Sequence, residues 1–162
     1  MNIKNLLINK IKQNGSINVG EFIQICQFEK DGYYLKNNPI GRSNDFITSP
    51  EISQMFGEIF GVFLINYWEE KIKTNFNLVE LGPGKGTLLK DILRTSIVNQ
   101  KFLNSMSITL IEKNKSLIEI QKNILNTENI SWNMEFNVAN ENIPSIIYSN
   151  EFFDCFPVRQ FH

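Results

Sequence analysis

The sequence is poor in the residues from which many active sites are built. Its 162 residues hold one histidine, His162 at the last position, two cysteines, Cys26 and Cys155, and three arginines. The two thiols stand far apart in no metal-ligand spacing, so a zinc centre or a histidine-based triad lacks its donors, and no metal is expected. An excess of charge is missing as well: sixteen Lys and Arg face seventeen Asp and Glu, a net charge of -1. No overall positive field draws the chain to nucleic acid or to an anionic membrane. Long apolar runs are also lacking. The most apolar stretch, residues 52–68, is interrupted by Gln54, Glu58 and Asn66, short of the about 20 residues of a membrane span. Lys4, Lys10 and Lys12 break any signal-peptide core, and the Arg and Ser of a transit peptide are absent there. The expectation is a cytoplasmic chain with no membrane insertion.

What is present suits a globular fold. Hydrophobic residues make up 42% and charged residues 20%, too apolar for intrinsic disorder and typical of one domain or a piece of a larger one. Asn, Ile and Lys are abundant, a bias of an AT-rich gene that says little about function. Ile3, Leu6, Leu7 and Ile11 recur at helical spacing until Asn14-Gly15, and Val19, Phe22, Ile23 and Cys26 predict a second short helix. A polar connection follows from Asp31 to Asn44, with Gly32, Pro39 and Gly41; its Tyr33-Tyr34 pair reads as a packed anchor rather than a binding surface. Ser49-Pro50-Glu51 predicts the start of a long helix, with Ser capping, Pro at the first position and Glu at the positive end of the dipole. Ile52, Met55, Phe56, Ile59, Phe60, Phe63, Leu64, Tyr67 and Trp68 form its apolar face, expected to pack on a sheet or on the first helices.

From Asn77 onward strands and helices alternate. Strand patterns at Leu78 to Leu81, Ser107 to Glu112, Ile130 to Met134 and Ile146 to Asn150 flank helices marked by Leu88, Leu89, Ile92 and Leu93, then by Leu117, Ile118, Gln121, Ile124 and Leu125. Such alternation predicts an α/β fold with a parallel sheet and right-handed crossovers.

Three segments carry chemistry. The first is Glu80-Leu81-Gly82-Pro83-Gly84-Lys85-Gly86-Thr87, between a strand and a helix. Its glycines let the backbone turn tightly and approach a ligand, while the helix's free amides face the same spot. A phosphate-binding loop needs Ser or Thr after Gly-Lys, but Gly86 follows Lys85; the dinucleotide pattern wants a small residue where Thr87 stands. Gly-x-Gly-x-Gly with an acidic residue two positions earlier matches the pattern of Rossmann-like S-adenosylmethionine-dependent methyltransferases. Glu80 suits a ligand that carries an ammonium and a sulfonium and no phosphate. The second is Glu112, closing a strand whose tip lies next to the glycine turn, where a carboxylate can accept from both ribose hydroxyls. Third comes Asn150-Glu151-Phe152-Phe153-Asp154, at the exit of the fourth strand. An Asn followed three positions later by an aromatic has the outline of the acceptor loop of amino-group methyltransferases. Glu151 and Asp154 suit a cationic acceptor, holding a guanidinium and helping its proton leave.

Together, Asp45-Phe46-Ile47-Thr48-Ser49-Pro50-Glu51-Ile52-Ser53-Gln54-Met55-Phe56-Gly57-Glu58, the stretch Val79 to Leu88, Asn150 to Asp154 and Pro157-Val158-Arg159-Gln160-Phe161 closely resemble the MidA family, that of the mitochondrial complex I assembly-factor methyltransferase. The resemblance implies a Rossmann-like class I methyltransferase fold and S-adenosyl-L-methionine as cofactor. It also implies transfer to a protein nitrogen, an arginine of a respiratory complex I subunit in the mitochondrial members. Carried over by position, Glu80, Gly82, Gly84, Gly86 and Glu112 bind cofactor, and Asn150, Glu151 and Asp154 serve catalysis at the acceptor. The segment from Asp45 to Glu58 closes over the site. Asn44 stands where relatives have Gly, a small departure because Asn tolerates a left-handed backbone.

Relatives continue well past Phe161. The expectation is therefore an N-terminal helical and irregular segment over residues 1–48, then the N-terminal part of the methyltransferase domain over 49–162. The strand order is 3-2-1-4, and the fourth strand has an edge that a partner or a missing C-terminal region covers. Two other functions stay open: a non-catalytic cofactor-binding or partner-binding module, and a nicotinamide-dependent oxidoreductase.

Overall fold

The computed structural model describes residues 2–36, 45–126, 129–137 and 142–161. Pro39, Gly41 and Asn44 of the expected connection, and His162, lie outside them. The chain divides into two compact units, residues 1–39 with 151–162 and residues 40–150.

In the first unit, α1 (Ile3–Asn14) and α2 (Val19–Phe28) begin alike. Asn2 accepts from the Asn5 amide at 2.9 Å and Asn18 from the Glu21 amide at 2.8 Å, each satisfying a donor that the helix leaves unpaired. Gly15 stops α1 with φ 82, as its position in the sequence predicts. A single turn, α3 (Tyr33–Lys36), carries the tyrosine pair, whose rings meet edge to face at 5.2 Å while Tyr34 also lies against Phe28. The pair is a packed anchor. Residues 151–161 join this unit: Phe156 stacks on Phe28 at 5.3 Å, and the Val158 carbonyl comes so near Gly20 that a β-carbon there would lie 2.7 Å from it.

The second unit is a four-stranded parallel sheet, β1 (Phe76–Leu81), β2 (Met106–Ile111), β3 (Ile130–Asn133) and β4 (Ser145–Tyr148), in the order β3-β2-β1-β4. This is the expected order. Between the strands run α6 (Thr87–Ser96), α7 (Gln100–Ser105) and α8 (Lys115–Leu125), while α4 (Ser49–Ile52) and α5 (Gln54–Tyr67) precede β1. Leu78, Leu89, Ile92, Phe102 and Leu110 are wholly buried, each adding about 1.5–3 kcal/mol by burial. Asn99 and Asn114 cap α7 and α8 through their side chains.

Two expectations about the helix at Ser49 need correction. It is not continuous: Ser53 is extended at φ -142 and ψ 121, ends α4 by donating to the Ser49 carbonyl, and becomes the cap of α5. The cap of α4 falls on Thr48, with Pro50 in the first turn. Serine competes with helical bonding and favours such boundaries. Nor does the whole apolar stripe face the core: Leu64 and Trp68 lie in it and Phe60 packs against it, but the rest does not. Ile52, Met55, Ile59 and Phe63 are all more than half exposed, because α5 meets α6 through Gly57 and Gly61. A β-carbon on Gly57 would lie 2.5 Å from that of Asp91, and one on Gly61 3.0 Å from that of Thr95. The glycines let the two backbones approach, and Leu64, Ile65 and Trp68 complete the buried face. A π-helical turn, Trp68–Ile72, then ends at Lys73, with φ 60.

Candidate functional site

The strand order reverses at β1. From there the chain builds outward through β2 to β3, then returns to place β4 on the other side. In open parallel sheets the crevice beyond the strand C-termini at such a reversal binds ligands. The glycine-rich segment leaves β1 at that point. Gly82, Gly84 and Gly86 all have positive φ, 63, 57 and 85. The Gly82 amide donates to the Ile111 carbonyl at 3.0 Å, extending the β1–β2 ladder into the turn, and the Gly86 amide closes the turn onto Pro83 at 2.8 Å. Gly86 is then the left-handed cap of α6; a β-carbon there would also come 3.4 Å from Gln121 and from Leu125. The outcome is a tight turn leading into helix amides, with Pro83, Gly84 and Gly86 buried and Gly82 and Lys85 partly exposed.

The carboxylates divide by direction. Glu80 pairs in register with Tyr148 of β4, so both side chains leave the same face, and the Tyr148 hydroxyl donates to Glu80 Oε2 at 3.0 Å. Glu80 is only 3% exposed. Burial pushes its carboxyl up to about 7, with the tyrosine bond pulling the other way, while burial and the neighbouring carboxylate drive the Tyr148 phenol well above its usual range. Phe60 packs against Tyr148 at 5.3 Å. Glu80 therefore underpins the strand. Glu112 sits one residue past β2, its amide still laddered to the Asn133 carbonyl at 2.9 Å. Its Oε1 accepts from the Asn114 amide at 2.8 Å. Burial raises its pKa, against the amides of Asn114 and Lys113 and the Gln121 side chain, which favour the charged form. It is partly exposed at the strand tip, the place where a ribose is expected.

Two residues to which the sequence analysis gives no individual site role organise this region. Gln121, fully buried, donates to the Gly84 carbonyl at 2.7 Å and accepts from Trp132 Nε1 at 3.0 Å, joining the turn, α8 and β3. Its spacing of four from both Leu117 and Leu125 marked it as inward-facing. Glu51 of α4 accepts a hydrogen bond from the Thr87 hydroxyl and lies 3.8 Å from Lys85 Nζ. No local sequence signal joins residues 36 apart.

Of the acceptor residues, Asn150 ends the second unit, half-buried, whereas Glu151 and Asp154 belong to the first and are exposed. Glu151 has a left-handed backbone, φ 47, an uncommon conformation for a residue with a side chain. Asp154 is in the turn Phe153–Cys155, where its charge raises the pKa of Cys155, second to burial, and that of Tyr34, after burial and the charge of Cys155.

A Rossmann-like half with a glycine turn at the reversal point is the class that these features define. Its fold matches a Burkholderia thailandensis protein crystallised with S-adenosyl-homocysteine, at a TM-score of 0.78 and 18% identity over 96% of this chain and 42% of that one. A native structure from the same organism matches at 0.74 and 20% identity, over 97% and 40%. The likeness bears out the class I methyltransferase fold. The chain belongs to the family of putative S-adenosyl-L-methionine-dependent methyltransferases, whose sequence model matches residues 59–162, as its resemblance to the MidA family implied. The protein arginine methyltransferase NDUFAF7, mitochondrial, is 38% identical in Bos taurus and 36% in Homo sapiens, each match taking 96% of this chain and 41% of the relative. The chain thus spans about two fifths of the length of these curated relatives. Their mitochondrial names overturn the cytoplasmic expectation, which rested on a missing targeting pattern, and a missing pattern carries no address. Among the described residues, no helix is long and apolar enough to cross a membrane.

Proposed function

We propose that this chain supplies the cofactor-binding part of an S-adenosylmethionine-dependent methyltransferase acting on protein arginine. The observation that carries the reading is the turn from Gly82 to Gly86 at the reversal point of the sheet. The residues fit that cofactor: three positive-φ glycines leave room for close approach, Glu112 offers a ribose acceptor, and no phosphate-loop pattern is present. Gly82, Gly84, Gly86 and Glu112 hold it, and Glu80 keeps the turn's strand in place from beneath. When bound, the cofactor supplies a methyl group activated by a positive sulfur.

The chain's own residues position the acceptor. In this reading Asn150 orients the arginine nitrogen, and Glu151 and Asp154 pair with the guanidinium. They receive the proton that it loses as the new nitrogen–carbon bond forms and the carbon–sulfur bond breaks. Support is local, from the left-handed Glu151 and the exposed carboxylates. The names of the relatives support arginine as acceptor, and the family resemblance supports a complex I subunit as the protein that bears it.

The test is transfer of labelled methyl from S-adenosylmethionine to dissociated complex I subunits, with the labelled residue identified by mass spectrometry. Label on arginine, reduced at least tenfold by Asn150→Ala (~1.4 kcal/mol), is expected. Label on another residue type, or full turnover with both Glu151→Asn and Asp154→Ala, contradicts the reading.

A further inference from the structure

Glu80 is the acidic residue next to the glycines in sequence, yet its carboxylate is buried and bonded to Tyr148. A second carboxylate meets the turn. Glu51 reaches it from α4, held through Oε1 by the Thr87 hydroxyl, with Oε2 toward the Lys85 ammonium at 3.8 Å. Pro50 beside it is buried, which fixes the short helix that aims it. The two side chains are 15% and 24% exposed, low enough to strengthen a charge interaction and high enough to be reached.

An amino-acid end is a zwitterion, one ammonium and one carboxylate a few ångströms apart. We infer that Glu51 and Lys85 are a clamp for the amino-acid end of the cofactor, Glu51 taking its ammonium and Lys85 its carboxylate. The inference rests on the cofactor reading above. Without ligand the two clamp residues face each other, the lysine ammonium near the carboxylate that would receive the ligand's. With ligand, each exchanges its partner for the matching group, so neither charge is left buried and unpaired. Thr87 keeps Oε1 in both states and so preserves the aim of Glu51. The turn's apparent mismatch to a phosphate loop acquires a reason: Lys85 is used for a carboxylate.

Two probes separate the clamp from general support of the turn. S-adenosylhomocysteine carries the amino-acid end, and 5′-methylthioadenosine has the same nucleoside and thioether without it. Both are titrated calorimetrically into the full chain, Glu51→Gln and Lys85→Met. The expected result is about a tenfold or greater loss of S-adenosylhomocysteine affinity in each variant, with 5′-methylthioadenosine affinity within about twofold of the unaltered chain. Equal weakening of both probes, or no weakening of either, overturns the clamp while leaving the cofactor reading intact. Failure of the unaltered chain to bind either probe overturns both. Should Glu51→Gln fail to fold, as judged by circular dichroism, Lys85→Met at the more exposed position decides alone by the same two outcomes.

Discussion

The glycine-turn region and the outer face of α5 depart from the ordinary pattern of apolar inside and polar outside, in opposite directions. Around the turn, polar side chains are buried: Glu80, Gln121 and Asn114, each with hydrogen-bond partners. Along α5, large apolar side chains are exposed while two glycines are buried. The difference teaches what each pattern costs. A buried polar group must be fully partnered or it destabilises the fold, so the turn's polar groups are fixed in place. Exposed apolar groups carry little penalty one by one, and α5 keeps its place through close approach to α6 at Gly57 and Gly61 and through buried Leu64 and Ile65.

Substitutions sharpen the contrast. The largest effect is expected from Gln121→Leu, which leaves the Gly84 carbonyl and Trp132 Nε1 unpaired; a loss of about 4 kcal/mol in urea unfolding is predicted, at about 1–3 for each group. A loss below about 1 would show that the turn is not held from beneath.

Glu80→Gln comes next, and its sign depends on pH. The folded-state pKa, about 7, lies above the usual 4.5. Protonated Glu80 therefore contributes stability fully below about pH 4.5, and that contribution is lost as pH rises through about 7. The variant keeps an acceptor for Tyr148 but carries no charge. Relative to the unaltered chain it is predicted to gain up to about 3 kcal/mol between pH 4.5 and 8, read from melts across that range. A constant difference would contradict the burial of an ionisable carboxyl.

On α5, Gly57→Leu drives a side chain into Asp91 and is expected to cost about 1–3 kcal/mol. Ile59→Ser, two residues on but 62% exposed, is expected to change stability by less than about 0.5 kcal/mol. Should the two substitutions cost the same, the assignment of the buried and exposed faces of α5 fails.

Much of this was legible in the sequence. Alternating strand and helix patterns predicted the parallel sheet, the family resemblance implied its order, and glycines after an apolar strand marked the turn. Only part of the expected α5 stripe packs inward, with Phe60 on Tyr148 of the sheet and Leu64 in the core, since hydrophobic periodicity locates a face without saying what it meets; Gly57 and Gly61, four apart, are the signal for close approach to α6. Glu80 shares a strand face with buried Leu78, two residues away, but its bond to Tyr148 joins residues 68 apart and has no local signal. The Glu51–Thr87 bond joins elements 36 residues apart, and only the folded chain brings them together.

The central claim, that the turn from Gly82 to Gly86 binds S-adenosylmethionine, is tested most directly by calorimetric titration of the 162-residue chain with that cofactor and with S-adenosylhomocysteine. Micromolar binding, about -8 kcal/mol, abolished by Gly84→Val in a variant that still folds, is the predicted result. A folded chain that binds neither, or one that binds NADH tightly in their place, contradicts it.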